Sequence, residues 1–407
     1  MPDLNWLQDA TPAFRLAMAT SWLAPEPWQR NQEEDIGQAI DSGPDWGEYL
    51  SLVNRHQIQA VSWAALSRVQ VIPVPDTVKQ ELESRTRSCR ILGVQRSLVL
   101  AEVLGEFNRA GIPAMPLKGP VLSFELYGDV GLRASDDVDL QVPAEDLRRA
   151  MDCLESAGWR PGFDFRAMTP RQWQSFQRND YEMLFTRAGC SLELHWRNHW
   201  ETPDATSARW ARSTAALWQG HSIRMMSGGD LALFLCVHGA FHIWCCAKWL
   251  GDVARAHSIG RLDWGAAMNL ARSLGLEGVC PAAQSLLHSL YRLEVPILPG
   301  MGAGGGAARP SPLLVAMPLE CLKLSDDPRG REGVALLRNH THMIRYERLV
   351  HPGKAWWKTL AGLFYCQRDF RMIPLPDALF WLYKPLRPIL WMWRWAQQAG
   401  SGAAEAA

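Results

Sequence analysis

The apolar spacing of this chain changes from helical to strand-like near residue 112, and that change most constrains its fold. Residues 78–108 carry apolar side chains at helical spacing, namely Ile91, Leu92, Val94, Leu98, Leu100, Val103, Leu104 and Phe107. Ala110-Gly111 follows and supplies a glycine of the kind that ends helices. From Ile112 onward, short apolar segments are separated by turn residues, which is typical of strands. A sheet-containing unit is therefore predicted after a helical region.

The sequence from Ile112 to about residue 196 predicts a compact unit of strands and helices. Its predicted elements are strand 112–117, helix 119–127, strand 137–142, amphipathic helix 145–157, and a hairpin of strands 181–185 and 191–196 around Arg187-Ala188-Gly189. We therefore predict an α+β fold with a small mixed-sheet core, flanked by N-terminal and C-terminal helical regions.

The remaining sequence divides the chain further. The helical pattern returns after about residue 225 and is strongest in 230–256. Residues 300–306 spell Gly-x-Gly-x-x-Gly, but prolines flank them where a dinucleotide fingerprint needs a strand and a helix, so a linker is favoured. The predicted regions are 1–110 (helical), 111–220 (sheet core), 221–298 (helical), 299–312 (Gly/Pro linker) and 313–407 (helical and Trp-rich).

Charge and cysteine usage limit the function classes. Lys+Arg 42 balance Asp+Glu 42, so no bulk positive field favours nucleic-acid binding. Nine cysteines without paired metal spacing predict reduced core residues of a cytoplasmic protein, although Cys245-Cys246 also fits a soft metal. Neither a signal peptide nor a run of 18 apolar residues is present, so no membrane-spanning helix is expected.

The strongest chemical signal is Asp137-Val138-Asp139. Alternate residues of a strand point to the same face, so the two carboxylates lie side by side and repel each other unless a cation separates them. Glu193 lies between two leucines on a second strand, where a charge is costly unless paired or metal-bound. Hard oxygen ligands favour magnesium, and three such carboxylates predict two Mg²⁺ ions. Asp136 fits either a metal ligand or a turn residue, and the turn is favoured.

Lys118-Gly119 stands at the predicted turn from strand into helix. Backbone N–H groups at a helix N-terminus bind anions, Gly119 allows close approach, and Lys118 adds positive charge. Arg133 offers a bidentate contact to a leaving pyrophosphate. Together with the carboxylates, these residues predict a phosphate-binding turn beside a metal site.

These motifs, with Leu126-Tyr127, Ala157-Gly158-Trp159 and residues 192–196, resemble the uncharacterised nucleotidyltransferase family of bacterial biosynthetic clusters. That family is part of the polymerase-beta-like nucleotidyltransferase superfamily. The likeness covers most of the chain after about residue 90, through 238–252 and into 383–388.

The resemblance implies that Asp137, Asp139 and Glu193 form the metal triad, with Glu193 also the base for the acceptor. Two features depart from the superfamily. Lys118-Gly119-Pro120 stands where Gly-Ser is usual, and Glu193 stands where aspartate is more common.

Other residues carry weaker hypotheses. His195 shares the face of Glu193 and is a candidate acceptor contact. His238 and His242 share a helix face and fit core histidines, a zinc pair or a cleft wall. In the last case His238, Lys248 and Asp252 are candidate acceptor contacts.

The Trp-rich C-terminus fits internal packing, a partner protein or a membrane surface. Packing is favoured because Pro385 and Pro388 are expected to break a long amphipathic helix.

The predicted function is Mg²⁺-dependent transfer of a nucleoside monophosphate from an NTP to an acceptor that is a small molecule, glycan or peptide. The alternatives are a non-catalytic nucleotide-binding or scaffold protein of a biosynthetic cluster, and an antitoxin-like transferase that adenylylates a partner protein.

Overall fold

The structure, a computed structural model, describes residues 10–69, 74–295, 312–323, 345–346, 348–350 and 367–402. Its fold is α+β, as predicted. Five helices precede the sheet: α1 (Pro12–Ala19), α2 (Gln29–Asp41), α3 (Trp46–Arg55), α4 (Gln59–Leu66) and α5 (Asp76–Arg109).

A mixed sheet of five strands follows, in the order β1-β2-β5-β4-β3. Strands β2 and β5 are parallel, whereas the other neighbours are antiparallel. The elements of this unit are β1 (Met115–Pro116), α6 (Gly119–Tyr127), β2 (Val138–Gln141), the 3-10 turn Ala144–Asp146, α7 (Leu147–Ser156), β3 (Arg160–Pro161), α8 (Pro170–Asn179), β4 (Glu182–Arg187) and β5 (Cys190–His195).

A two-stranded hairpin and further helices complete the described part of the chain. These elements are α9 (Pro203–Arg212), β6 (Thr214–Trp218), β7 (His221–Met225), α10 (Gly228–Phe241), α11 (Ala247–Ser258), α12 (Trp264–Leu274), α13 (Val279–Tyr291), α14 (Leu313–Lys323), α15 (Gln367–Met372), the 3-10 turn Asp377–Leu382 and α16 (Tyr383–Gly402). In the residues described, no helix has the length and apolar character needed to cross a membrane.

Two hydrophobic cores organise these elements. The first unites the N-terminal helices with α10–α14, so the predicted helical regions 1–110 and 221–298 share one interior. The second lies beneath the sheet, against α7 and α8. Helix α5, of 34 residues, joins them: Val78 and Leu82 belong to the first core, Leu104 and Phe107 to the second. Its predicted apolar face is only partly buried, since Ile91, Leu92, Val94 and Leu98 are exposed.

The predicted elements around the sheet are confirmed, including helix 119–127 and the 181–196 hairpin. Ala188 and Gly189 have φ of 47° and 76°, the left-handed pair that a two-residue hairpin turn requires.

The predicted continuous helix at 230–256 is wrong. Helices α10 and α11 are separated at Ile243 and Trp244, which both have φ of 52°. This turn packs the buried Trp244 ring against Gly239, where an added Cβ would lie 2.2 Å from the ring. The burial of a large aromatic side chain therefore compensates for two left-handed residues.

The predicted boundary at residue 220 and the predicted end of the C-terminal helix both differ from the structure. The boundary between 220 and 221 separates the strands of the β6–β7 hairpin. The expectation that Pro385 and Pro388 prevent a long C-terminal helix is wrong, because α16 continues through Pro388. Most of the predicted 299–312 linker lies outside the described residues, as does Trp356-Trp357 of the predicted Trp-rich region.

Candidate active site

The site is centred on the neighbouring parallel strands β2 and β5, whose pairing brings its polar residues together. Asp139 lies opposite Glu193, and Gln141 lies opposite His195. Alternation along the strands places their apolar neighbours, among them Leu140 on β2, on the opposite face in the sheet core. The Asp-x-Asp strand and the Glu193 strand are therefore direct neighbours with their polar residues on one face.

Asp139, Glu193 and His195 form a compact group of candidate metal ligands. One ligand atom from each lies within 4.8 Å of the others. Nε2 of His195 is 3.5 Å from Asp139 Oδ1 and 3.7 Å from Glu193 Oε2. Asp139 Oδ1 and His195 Nε2 are both buried, and neither has a hydrogen-bond partner among the residues described. Two carboxylates and an imidazole clustered in this way are a donor set that fits a divalent cation.

Lys118 reaches the same carboxylate. Its Nζ lies 3.0 Å from Asp139 Oδ1, although the contact lacks hydrogen-bond geometry, and both side chains are largely buried. Burial opposes ionisation of both groups, but their mutual attraction outweighs it. The pKa of Asp139 is accordingly held below its ordinary value, with His195 adding to the effect, and that of Lys118 is raised.

Gly119 forms the turn that brings Lys118 to this position. It has φ of +66° and begins α6 directly after Lys118. An added Cβ would meet only ordinary contacts, at 3.7 Å from the Asp137 carbonyl. Glycine is therefore required here by its backbone conformation, and the N-terminus of α6 opens beside the carboxylates.

Asp137 and Asp136 take different positions at the start of β2. Asp137 is half-buried, and burial together with Asp139 and Glu193 raises its pKa to about 6. Asp137 therefore lies near Asp139 and Glu193. The compact group of three nevertheless contains His195 where the predicted triad has Asp137. Asp136 is exposed and accepts a hydrogen bond from Gln57 Nε2 at 3.1 Å.

Glu182 is a site residue that the sequence analysis missed. It lies opposite His195 in the hairpin register, and its Oε2 is 3.4 Å from His195 Nδ1. Burial raises the pKa of Glu182 to about 7, while His195 opposes the shift. For His195, burial is outweighed by Asp139 and Glu193, and the pKa rises to about 9. Counting the register back from the Ala188-Gly189 turn would have paired Glu182 with His195.

The other predicted contacts lie beside this centre. Arg133 is buried, and its Nε lies 2.9 Å from each carboxylate oxygen of the equally buried Asp252. The structure therefore pairs the predicted pyrophosphate ligand with a predicted acceptor ligand. Lys248 hydrogen-bonds to the Ala134 carbonyl at 3.1 Å and to Gln57, and burial lowers its pKa.

His238 and His242 pack ring to ring, with centroids 5.0 Å apart, and both contact Trp249. Neither belongs to the group of three candidate metal ligands found in the described chain. The packing interpretation of this pair agrees with these contacts. Burial, with Lys118 as the next cause, lowers the pKa of His238, which places it near the site.

Comparison with known proteins identifies the family of this chain. A family model described as uncharacterised nucleotidyltransferase matches residues 42–292, more than half of the chain, so the chain belongs to that family. The match begins before residue 90 and ends before the predicted 313–407 region. No curated protein matches the chain. Among solved structures, the solution structure of the antibiotic-resistance factor ANT(2'')-Ia is 15% identical, covering 44% of this chain and 91% of that chain, with a TM-score of 0.32.

Proposed function

We propose that this member of the uncharacterised nucleotidyltransferase family transfers a nucleoside monophosphate from an NTP to an acceptor, with magnesium as cofactor. The observation that carries this proposal is the pairing of Asp139 with Glu193 on parallel neighbouring strands, beside the N-terminus of α6. Carboxylates and an anion-binding turn are the two parts that a metal–triphosphate site needs.

Asp137, Asp139 and Glu193 are the proposed magnesium ligands, with His195 as a neighbouring candidate. Bound magnesium would neutralise the phosphate oxygens and polarise the α-phosphorus. Lys118 exchanges its contact with Asp139 for the triphosphate, which the backbone of Gly119 approaches closely.

In the proposed reaction an acceptor hydroxyl or phosphate oxygen attacks the α-phosphorus. The new O–P bond forms as the bond to the bridging oxygen breaks, and pyrophosphate leaves with that oxygen. Glu193 takes the proton of an acceptor hydroxyl. Its half-buried carboxylate lies close enough to His195 for an ion pair, so its orientation is restrained.

The proposed acceptor is a small molecule, glycan or peptide. It would enter over the polar face of the sheet, where Glu182 and His195 lie next to the carboxylate centre. Arg133 and Asp252 would contact pyrophosphate or acceptor only if their ion pair opened. Lys248 and His238 remain proposed acceptor contacts.

The test uses α-labelled nucleoside triphosphates, Mg²⁺ and host lysate with wild-type protein. We expect label in one acceptor class and release of pyrophosphate. The variant Asp139→Asn/Glu193→Gln should lose at least about 10³-fold in rate, since both metal ligands are removed. Asp41→Asn/Glu277→Gln, at two exposed positions, is the matched control and should label the acceptor at the wild-type rate.

Two outcomes would reject the proposal. One is unchanged labelling by Asp139→Asn/Glu193→Gln. The other is nucleotide-dependent thermal stabilisation without pyrophosphate release over many acceptors, which would favour a non-catalytic nucleotide-binding protein.

A further inference from the structure

A continuous row of aromatic rings borders the candidate site. Its members, here called the ring arc, are Tyr181, His199, Phe241 and His242. Successive ring centroids lie 5.6 Å (Tyr181–His199), 4.1 Å (His199–Phe241) and 5.1 Å (Phe241–His242) apart. These rings come from the start of β4, the segment after β5 and the end of α10, so the tertiary fold brings them together.

The ring arc is open on one side and supported on the other. Phe241 retains 36% of its exposure, and the other three rings are half-buried. Behind them Trp249 is buried, and its ring stacks on His242 with centroids 4.7 Å apart. A contiguous, partly exposed aromatic surface that rests on a buried ring is suited to binding a flat ligand.

Each end of the ring arc is linked to the carboxylate centre through one neighbouring residue. Tyr181 directly precedes Glu182, and burial, with Glu182 and Glu193 as further causes, raises its pKa. At the other end His242 contacts His238, which lies within electrostatic reach of Lys118 and Asp139. The ring arc therefore ends beside Glu182 and His238, on the border of the candidate site.

We propose that the ring arc binds the nucleobase of the NTP, an inference that rests on the proposed function. The triphosphate is accounted for by Lys118 and the N-terminus of α6, whereas the ring arc offers flat faces suited to a heteroaromatic ring. Base–aromatic stacking is strong and tolerates every base, because each has a π-face. The site therefore accepts all four nucleotides, with purines preferred for their larger stacking area.

The test compares nucleotides with a ligand that lacks a base. Dissociation constants for Mg–ATP, Mg–CTP and Mg–tripolyphosphate are measured by calorimetry on wild-type protein, Phe241→Leu and Phe241→Tyr. Phe241→Leu should weaken both nucleotides roughly tenfold and leave tripolyphosphate unchanged, whereas Phe241→Tyr should retain nucleotide affinity. His199→Leu, at the ring next to Phe241 in the ring arc, should also weaken nucleotide binding selectively.

Trp381→Leu is the matched control, since this 60% exposed ring lies in the 3-10 turn that packs near α8. Thermal melting establishes that each variant is folded. The inference is overturned if Phe241→Leu and His199→Leu leave nucleotide affinity unchanged, or if tripolyphosphate affinity falls equally. Equal wild-type affinity for Mg–ATP and Mg–tripolyphosphate also overturns it, while leaving the proposed triphosphate site intact. If wild-type protein binds neither, the proposed function fails and the nucleobase site fails with it.

Discussion

Lys118 Nζ lies 3.0 Å from Asp139 Oδ1, so the residue proposed to hold the triphosphate neutralises the residue proposed to hold the metal. This pairing has a thermodynamic consequence. In the absence of ligand the ammonium competes with a metal ion for the same carboxylate, whereas in the presence of NTP it becomes a phosphate contact.

Replacing Lys118 should therefore change two affinities in opposite directions. We expect Lys118→Gln to bind Mg²⁺ alone several-fold more tightly, because Asp139 loses its competing cation. The same variant should bind Mg–NTP about tenfold more weakly, because a charge-assisted contact to phosphate is lost. Calorimetry with Mg²⁺ and with Mg–ATP measures both, and Lys79→Gln, at a partly exposed lysine near the N-terminus of α5, is the control. Weaker binding of Mg²⁺ alone would contradict the competition.

The two ends of α6 offer a matched pair of glycine substitutions. Gly119 and Gly128 have φ of 66° and 70°, and an added Cβ meets no atom closer than 3.7 Å at either position. Alanine at either position should lower the free energy of unfolding by about 1–2 kcal/mol, because both force a left-handed alanine.

Only Gly119→Ala should also weaken Mg–NTP binding, since only Gly119 begins the helix beside the carboxylates. Urea unfolding and calorimetry on the two variants separate the effects. Equal NTP affinity of Gly119→Ala and Gly128→Ala would show that this turn does not approach the phosphates.

The local parts of the site could be predicted from the sequence, since period-two alternation and turn residues specify them. Asp137-Val138-Asp139 predicted a polar strand face, and the leucines around Glu193 predicted a second. Their direct pairing across β2 and β5 depends on strand order, which local patterns do not contain. The partner of Lys118 was missed for a related reason, because the helix N-terminus was predicted but not the direction of the side chain.

Long-range pairing was beyond such patterns. Arg133 and Asp252 are 119 residues apart, and they meet because α11 packs against α6 beside the sheet. The sequence indicated two charged residues in a polar cleft, whereas burial made them an ion pair. The spacing of two residues in the sequence does not show whether the fold buries them against each other.

The fold should depend on the Arg133–Asp252 ion pair, because each buried charge is compensated by the other. Arg133→Met should lower the free energy of unfolding by about 3–5 kcal/mol, because it leaves the Asp252 charge buried without its partner. The double variant Arg133→Met/Asp252→Leu should regain most of this loss. Chemical denaturation of the single and double variants measures the coupling. If Arg133→Met keeps full stability and loses only NTP affinity, Arg133 is instead a phosphate ligand.

His56 should make stability depend on pH far from the active site. It is fully buried between α3 and α11, where its Nδ1 accepts from the Ala247 N–H at 3.3 Å and its Nε2 lies 3.2 Å from the Leu322 carbonyl. This network fits a neutral ring. Burial, together with the neighbouring Arg55, lowers the pKa of His56 to about 3.

The sign of the effect follows from the two states of His56. The unfolded chain takes up the proton below about pH 6.5, whereas the folded protein resists it until about pH 3, so acid favours the unfolded chain. Between these values the free energy of unfolding should fall by up to about 1.4 kcal/mol per pH unit from this residue alone. Urea unfolding at pH 7, 6 and 5 should show a steeper decline for wild type than for His56→Gln. His288→Gln, at a half-buried histidine of α13, should follow the wild-type decline. Parallel profiles for wild type and His56→Gln would mean that His56 is protonated as readily in the folded protein as in the unfolded chain.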